Sequence, residues 1–186
     1  MQDRKTYLDF NASTPIASEV VEAMRPFLTD HFGNPSNQHW AGAPAKAAVE
    51  RARGQVAALL GAHPDEIVFT SGGTEANNHA LQGTFFANRA RGDHVVTSAI
   101  EHPAVLEPLK FLQQLGAKVS VVGVDRQGRI DPGAVRRAIT PRTILVSVMH
   151  ANNEVGTVQP IAEIAALARA DQRSIGIPRP LHRGES

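Results

Sequence analysis

Ser71-Gly72-Gly73-Thr74 sets two hydroxyls and two glycines where a short apolar run, Ile67-Val68-Phe69-Thr70, gives way to a helical pattern. A helix start offers unpaired backbone N–H groups and the positive end of the helix dipole, which together attract an anion. The glycines let a phosphate approach the backbone without meeting a Cβ, and Ser71 and Thr74 add hydroxyl donors. The same residues also suit an ordinary strand-to-helix turn, with Ser71 or Thr74 as N-cap and Glu75 in the first turn. Neither Gly-x-Gly-x-x-Gly nor Gly-Lys-Ser/Thr occurs there, so dinucleotide-fold and P-loop readings are weak.

Two further stretches hold polar groups suited to a ring-shaped ligand. In Glu101-His102-Pro103 the imidazole can stack on an aromatic ring and move a proton near neutral pH. It can equally be a polar residue entering a helix. In His150-Ala151-Asn152-Asn153-Glu154-Val155-Gly156 the Asn153 amide can donate to a phenolic oxygen, or form an Asx turn at a strand end. Among the other histidines, His31, His63, His79, His94 and His182 have no metal-ligand spacing and read as surface or packing residues; His150 stays open.

The elements that must position these groups follow from periodicity. Ser18 is expected to cap a helix through about His31, with Pro26 kinking it. A turn-rich loop from His31 to Gly42 follows, in which His39 and Trp40 read as loop packing. An alanine-rich helix then spans Pro44 to Leu60 and stops at Gly61. Beyond it, predicted strands near Glu66–Thr70, His94–Ser98, Lys118–Val124 and Thr143–Met149 alternate with predicted helices near Thr74–Arg91, Pro103–Leu115, Pro132–Ile139 and Ile161–Ala170. Asp131-Pro132 is a good cap and first-turn pair. Strict alternation implies an α/β fold with a mainly parallel sheet flanked by helices. All three marked stretches then fall at the carboxyl edge, where such sheets bind ligands.

Composition narrows the class. The chain has 186 residues, 42% apolar and 20% charged, with 19 basic against 18 acidic side chains and no cysteine. That describes a soluble globular domain, with no basic field for nucleic acid and no polybasic cluster for a membrane surface. No apolar run has membrane-spanning length and no signal-peptide pattern opens the chain, so cytoplasm is the expected compartment. Disulfides, thiolate metal sites and a cysteine nucleophile are excluded within these residues.

The strings themselves carry a resemblance. Ile67 to Asn78, Gly33-Asn34-Pro35-Ser36-x-x-His39-x-x-Gly42, Glu101-His102-x-Ala104-Val105 and His150-x-Asn152-Asn153-Glu154-x-Gly156 occur in the order seen in cysteine desulfurases and selenocysteine lyases. This group of class V aminotransferases has the pyridoxal-phosphate (PLP) fold type I, and the resemblance covers about Tyr7 to Arg169. It implies PLP as cofactor, with Gly73 and Thr74 on the phosphate, His102 stacked on the pyridine ring and Asn153 on the ring oxygen. It also implies sulfur or selenium removal from a small amino acid to leave alanine, a homodimer, a sulfur-acceptor protein as partner, and a link to iron–sulfur cluster assembly. A non-catalytic paralogue used for dimerisation or interaction, or another class V activity, are the alternatives.

The family's later motifs, an aspartate strand and Ser-x-His-Lys with its Schiff-base lysine, have no match here. Lys5, Lys46, Lys110 and Lys118 sit in no such motif. The expected organisation is therefore an N-terminal segment (1–15), a partial and truncated PLP-binding large domain (16–170) and an off-pattern tail (171–186). The run Arg179-Pro180-Leu181-His182-Arg183 does not suit a buried strand, and a frameshift or early gene end near Ala170 to Pro178 is expected. So are low solubility and loose packing, because strands that would complete the sheet are absent.

Overall fold

The computed structural model describes residues 6–174. The expectations for residues 175–186 lie outside the described residues. The chain divides at Phe69/Thr70 into two compact units.

The first unit holds α1 (Ser18–Thr29), α2 (Ala43–Leu60) and a single 3-10 turn, Pro64–Glu66. Ala17, not Ser18, occupies the N-cap of α1, and Ser18 Oγ turns to Glu19 instead. Helix α2 ends as expected, with Gly61 in the left-handed region at φ 64°, a conformation that costs glycine nothing. The expected apolar stripe of α2 is only partly covered: Ala57 is buried, whereas Leu59 and Leu60 are exposed. Trp40 is 86% exposed, so it does not pack into its loop.

The expected strand at Glu66–Thr70 does not form. Glu66 closes the 3-10 turn, and residues 67–70 make no ladder. Val68 is 59% exposed, so the run is not a buried strand either. An extended β-branched run becomes a strand only when a neighbour accepts its ladder bonds, and none of the described strands lies along it. Arg53 of α2 holds it instead, donating to the Ile67 carbonyl at 2.5 Å and lying over the Phe69 ring at 5.2 Å.

The second unit is a three-stranded parallel sheet, β1 (His94–Ser98), β2 (Lys118–Val122) and β3 (Thr143–Ser147), in the order β2-β1-β3. β1 is buried throughout, as a central parallel strand must be. Helices α3 (Gly73–Asn88) and α4 (Pro103–Gln114) cover one face, where Leu81, Phe85, Val105, Leu109 and Leu112 close over Val95. Helices α5 (Pro132–Ala138) and α6 (Ile161–Ser174) cover the other, where Val135 and Ile164 pack with Val96, Val122 and Ile130. Asp131 caps α5 as expected, its carboxylate accepting from the Gly133 and Ala134 amides at 2.9 and 3.0 Å.

The strand order fixes where a ligand fits. The chain leaves β1 toward α4 on one face and leaves β3 toward α6 on the other. Neighbouring strands whose exits diverge in this way open a crevice at their carboxyl ends.

Candidate functional site

Helix α3 begins without a side-chain cap, its N-cap being Gly72. Neither Ser71 nor Thr74 caps it; instead the Glu75 carboxylate reaches back and accepts from the Ser71 amide at 2.6 Å. That bonding to Ser71 holds the Glu75 carboxyl below its ordinary value. The first-turn amides of Gly73, Thr74 and Glu75 have no acceptor one turn earlier. A Cβ built on Gly72 or Gly73 would meet nothing within 4 Å. Packing within the chain therefore does not demand these glycines, and the space above them is open to a ligand.

His102 is the N-cap of α4, its Nδ1 accepting from the Ala104 amide at 3.0 Å. The reading of His102 as a polar residue entering a helix thus holds. Capping fixes the ring, and because Nδ1 accepts, the neutral imidazole carries its proton on Nε2. An open groove of about 580 Å³ runs between α3 and α4, lined among others by Thr74, Asn78, Gln82, His102, Glu107 and Phe111. The structure therefore brings Thr74 and His102, 28 positions apart in sequence, onto one groove beside the end of β1. Asn78 steadies the wall, donating to the Thr74 carbonyl at 2.9 Å and accepting from Gln82 at 2.8 Å.

Asn153 does not line that groove. It lies exposed on the loop after β3, next to Asn152, which is buried. Asn152 Nδ2 donates to the Ile100 carbonyl at 3.0 Å, and its Oδ1 accepts from the Glu154 and Val155 amides at 2.9 Å each. Opposite it, buried Glu101 accepts from the Met149 amide at 2.8 Å and from Ser98 Oγ at 2.5 Å. Sequence reasoning gave neither Glu101 nor Asn152 a part. The only available signal was their place in the quoted strings, beside His102 and Asn153.

Neither Lys110 nor Lys118 lines the groove. Lys110 pairs with Glu107 at 2.6 Å, and Lys118 starts β2 at the opposite sheet edge. No group of histidines and carboxylates suited to a metal ion occurs among the described residues. No helix among them is long and apolar enough to cross a membrane.

A parallel α/β unit with an open groove beside its central strand is the layout of a small-molecule-binding domain. The family model described as Aminotransferase class-V matches residues 6–175, and the chain belongs to that family, whose members depend on PLP. Among curated relatives, the cysteine desulfurase IscS of Dictyoglomus turgidum is 50% identical over 166 residues, covering 89% of this chain and 42% of the relative. The cysteine desulfurase IscS of Methanosarcina thermophila is 47% identical over 171 residues, covering 92% of this chain and 42% of the relative. Among solved structures, a NifS-like protein superposes with a TM-score of 0.87 at 38% identity, covering 91% of this chain and 47% of that one. A structure titled SspA in complex with cysteine gives 0.85 at 42% identity, covering 90% and 48%. The fold is thus that of PLP fold type I enzymes, and the chain spans about 42% of the length of these curated relatives.

Proposed function

We propose that the second unit supplies the phosphate- and ring-holding part of a PLP site in a cysteine desulfurase-type enzyme, acting on cysteine or selenocysteine and leaving alanine. The observation that carries this reading is the single groove shared by Thr74, at an uncapped helix start, and His102, at the end of the central strand. The open space over Gly72 and Gly73 fits a phosphate, and the exposed imidazole fits a ring lying against it. Among the described residues that line the groove there is no lysine, so the contacts these residues offer a cofactor are non-covalent.

In this reading the Gly73 and Thr74 amides and the Thr74 hydroxyl hold the phosphate. His102, locked by its bond from the Ala104 amide, presents its ring face and keeps a proton on Nε2. Asn153, on the loop after β3, donates its amide to the ring oxygen. When bound, PLP withdraws electrons from the amino acid's α-carbon, which weakens the bonds next to it and prepares loss of the β-substituent. A sulfur-acceptor protein is one partner of this reading. A second copy of the chain is the other partner that this reading requires.

Titrating the full 186-residue chain with PLP, followed by absorbance and fluorescence, tests the reading. Reversible uptake that gel filtration removes is expected, with no single lysine fixed by borohydride and no sulfide released from cysteine by the chain alone. T74A removes one phosphate hydrogen bond and weakens binding by about two- to tenfold; H102A weakens it as well. No uptake, uptake indifferent to both substitutions, or stoichiometric fixation on one lysine would overturn it.

A further inference from the structure

Two buried polar side chains span the crevice between β1 and β3, and each is the sequence neighbour of a candidate ring contact. Glu101 precedes His102 and reaches 48 residues forward to the Met149 amide. Asn152 precedes Asn153 and reaches 52 residues back to the Ile100 carbonyl. The two links run in opposite senses, a carboxylate accepting from one loop and an amide donating to the other. Together they fix the gap between the β1–α4 turn and the loop after β3.

The β3 loop is also pinned on its far side. Gln159, likewise buried, donates to the Gly128 carbonyl at 2.7 Å and accepts from the Ile130 amide at 2.9 Å. Thr157 donates to the Gln127 carbonyl. Sliding the loop in either direction would strand buried donors or acceptors without partners, which is costly away from water. Apolar side chains would fill the same space without this directional hold. Buried polar links give one geometry where a hydrophobic contact tolerates several.

We propose that Glu101 and Asn152 are positioning residues, which set the separation of His102 and Asn153 so that one aromatic ring meets both. The proposal rests on reading the groove as the PLP site. It predicts that the brace governs the ring contacts and not the phosphate contacts at Gly73 and Thr74.

Three variants of the full chain separate this role from plain stability. E101A deletes the acceptor for Met149 and Ser98, whereas E101Q keeps a carbonyl oxygen there. N152D keeps an acceptor for the Glu154 and Val155 amides but opposes the Ile100 carbonyl with a carboxylate oxygen. V135A, in the core between β1 and α5, is the control that lowers stability at a remote place. E101A and N152D are expected to weaken PLP binding about tenfold with inorganic phosphate binding unchanged. E101Q restores PLP binding, and V135A lowers Tm without altering it. The proposal is overturned if N152D binds PLP like the parent, if phosphate binding falls in parallel, or if the losses follow Tm as in V135A.

A ligand-free arm keeps the two readings apart. In NMR spectra the His102 ring and Asn153 side-chain amide resonances should move in N152D and stay put in V135A, and the Met149 amide should exchange faster in E101A. Unmoved resonances overturn the brace whatever PLP does. A parent chain that takes up no PLP, with resonances that do move, overturns the cofactor reading and leaves the brace standing.

Discussion

The imidazole of His94 and the hydroxyl of Thr143 meet at 2.7 Å, and the other ring nitrogen lies 2.9 Å from Ser120 Oγ. One buried side chain therefore ties β1 to β3 and to β2 at the amino edge of the sheet, opposite the candidate site. The Thr140 hydroxyl stands 3.4 Å from the same ring.

Burial pushes the His94 pKa down; Lys118 adds to this, and Asp93, itself paired with Arg142, opposes it. The folded chain thus favours the neutral ring, while the unfolded chain protonates with the ordinary value of about 6.5. The stabilisation is fully present above that value. It declines as pH falls below it, because the unfolded state takes the proton first, and levels off at the lower folded value. H94A should cost about 1–3 kcal/mol near pH 7.5 and flatten the pH dependence between 7 and 5. Urea midpoints for parent and variant across that range check it; parallel curves would remove His94 as the cause.

Glycines 73 and 92 make a contrasting pair. A Cβ at Gly73 meets open space, but one at Gly92 would sit 2.2 Å from the Arg142 carbonyl oxygen and 2.9 Å from Ile144 Cγ2. G73A should leave Tm unchanged or slightly raised, since alanine suits a helix better, yet weaken PLP because the new methyl occupies the phosphate's place. G92A should lower stability by about 1–3 kcal/mol through overpacking. Thermal melts and PLP titration on both variants decide this, and a G73A chain that binds PLP as the parent does would contradict the assigned phosphate position.

Sequence alone placed β1 at His94–Ser98 without error, because His-Val-Val-Thr-Ser is a β-branched run that follows the breaker pair Gly92-Asp93. The Asp131-Pro132 start of α5 was equally legible, since a cap acts within four residues. Ile67–Thr70 misled for the converse reason: its local propensity is that of a strand, but a strand also needs a partner. At the candidate site, the glycines, Thr74 and His102 could be read from local chemistry. The bonds of Glu101 and Asn152 could not, as they close across about 50 residues and depend on how β1 and β3 lie side by side.

Arg53 stands in for that missing ladder in the first unit. Besides its bond to Ile67 and its stacking on Phe69, it pairs with Glu50 at 3.2 Å. R53A should release residues 67–69, at a cost of about 1–2 kcal/mol for a charged hydrogen bond with a cation–π contact. Limited proteolysis should then cut near Val68 or Phe69 at lower protease concentration. R53K, which keeps the charge but lacks the planar fork, should fall between the two. An unchanged cleavage rate in R53A would show that something else holds the segment.

Among the described residues, β2 pairs only with β1, in register from His94 opposite Lys118 to Ser98 opposite Val122. Its outer side thus presents unpaired backbone groups, and Val121 on it is 56% exposed. An exposed strand edge carrying an apolar β-branched residue is a template for pairing with another chain, and a lysine there blocks the approach. V121K should raise the soluble fraction of the expressed chain and slow the growth of light scattering on warming. Its effect on folding stability should stay within about 0.5 kcal/mol, as for surface substitutions generally. Q113K, on an exposed position of α4, adds the same charge away from the edge and controls for net charge. If both lysines improve solubility equally, the benefit is electrostatic and the edge is not the route of association; improvement confined to V121K assigns aggregation to β2.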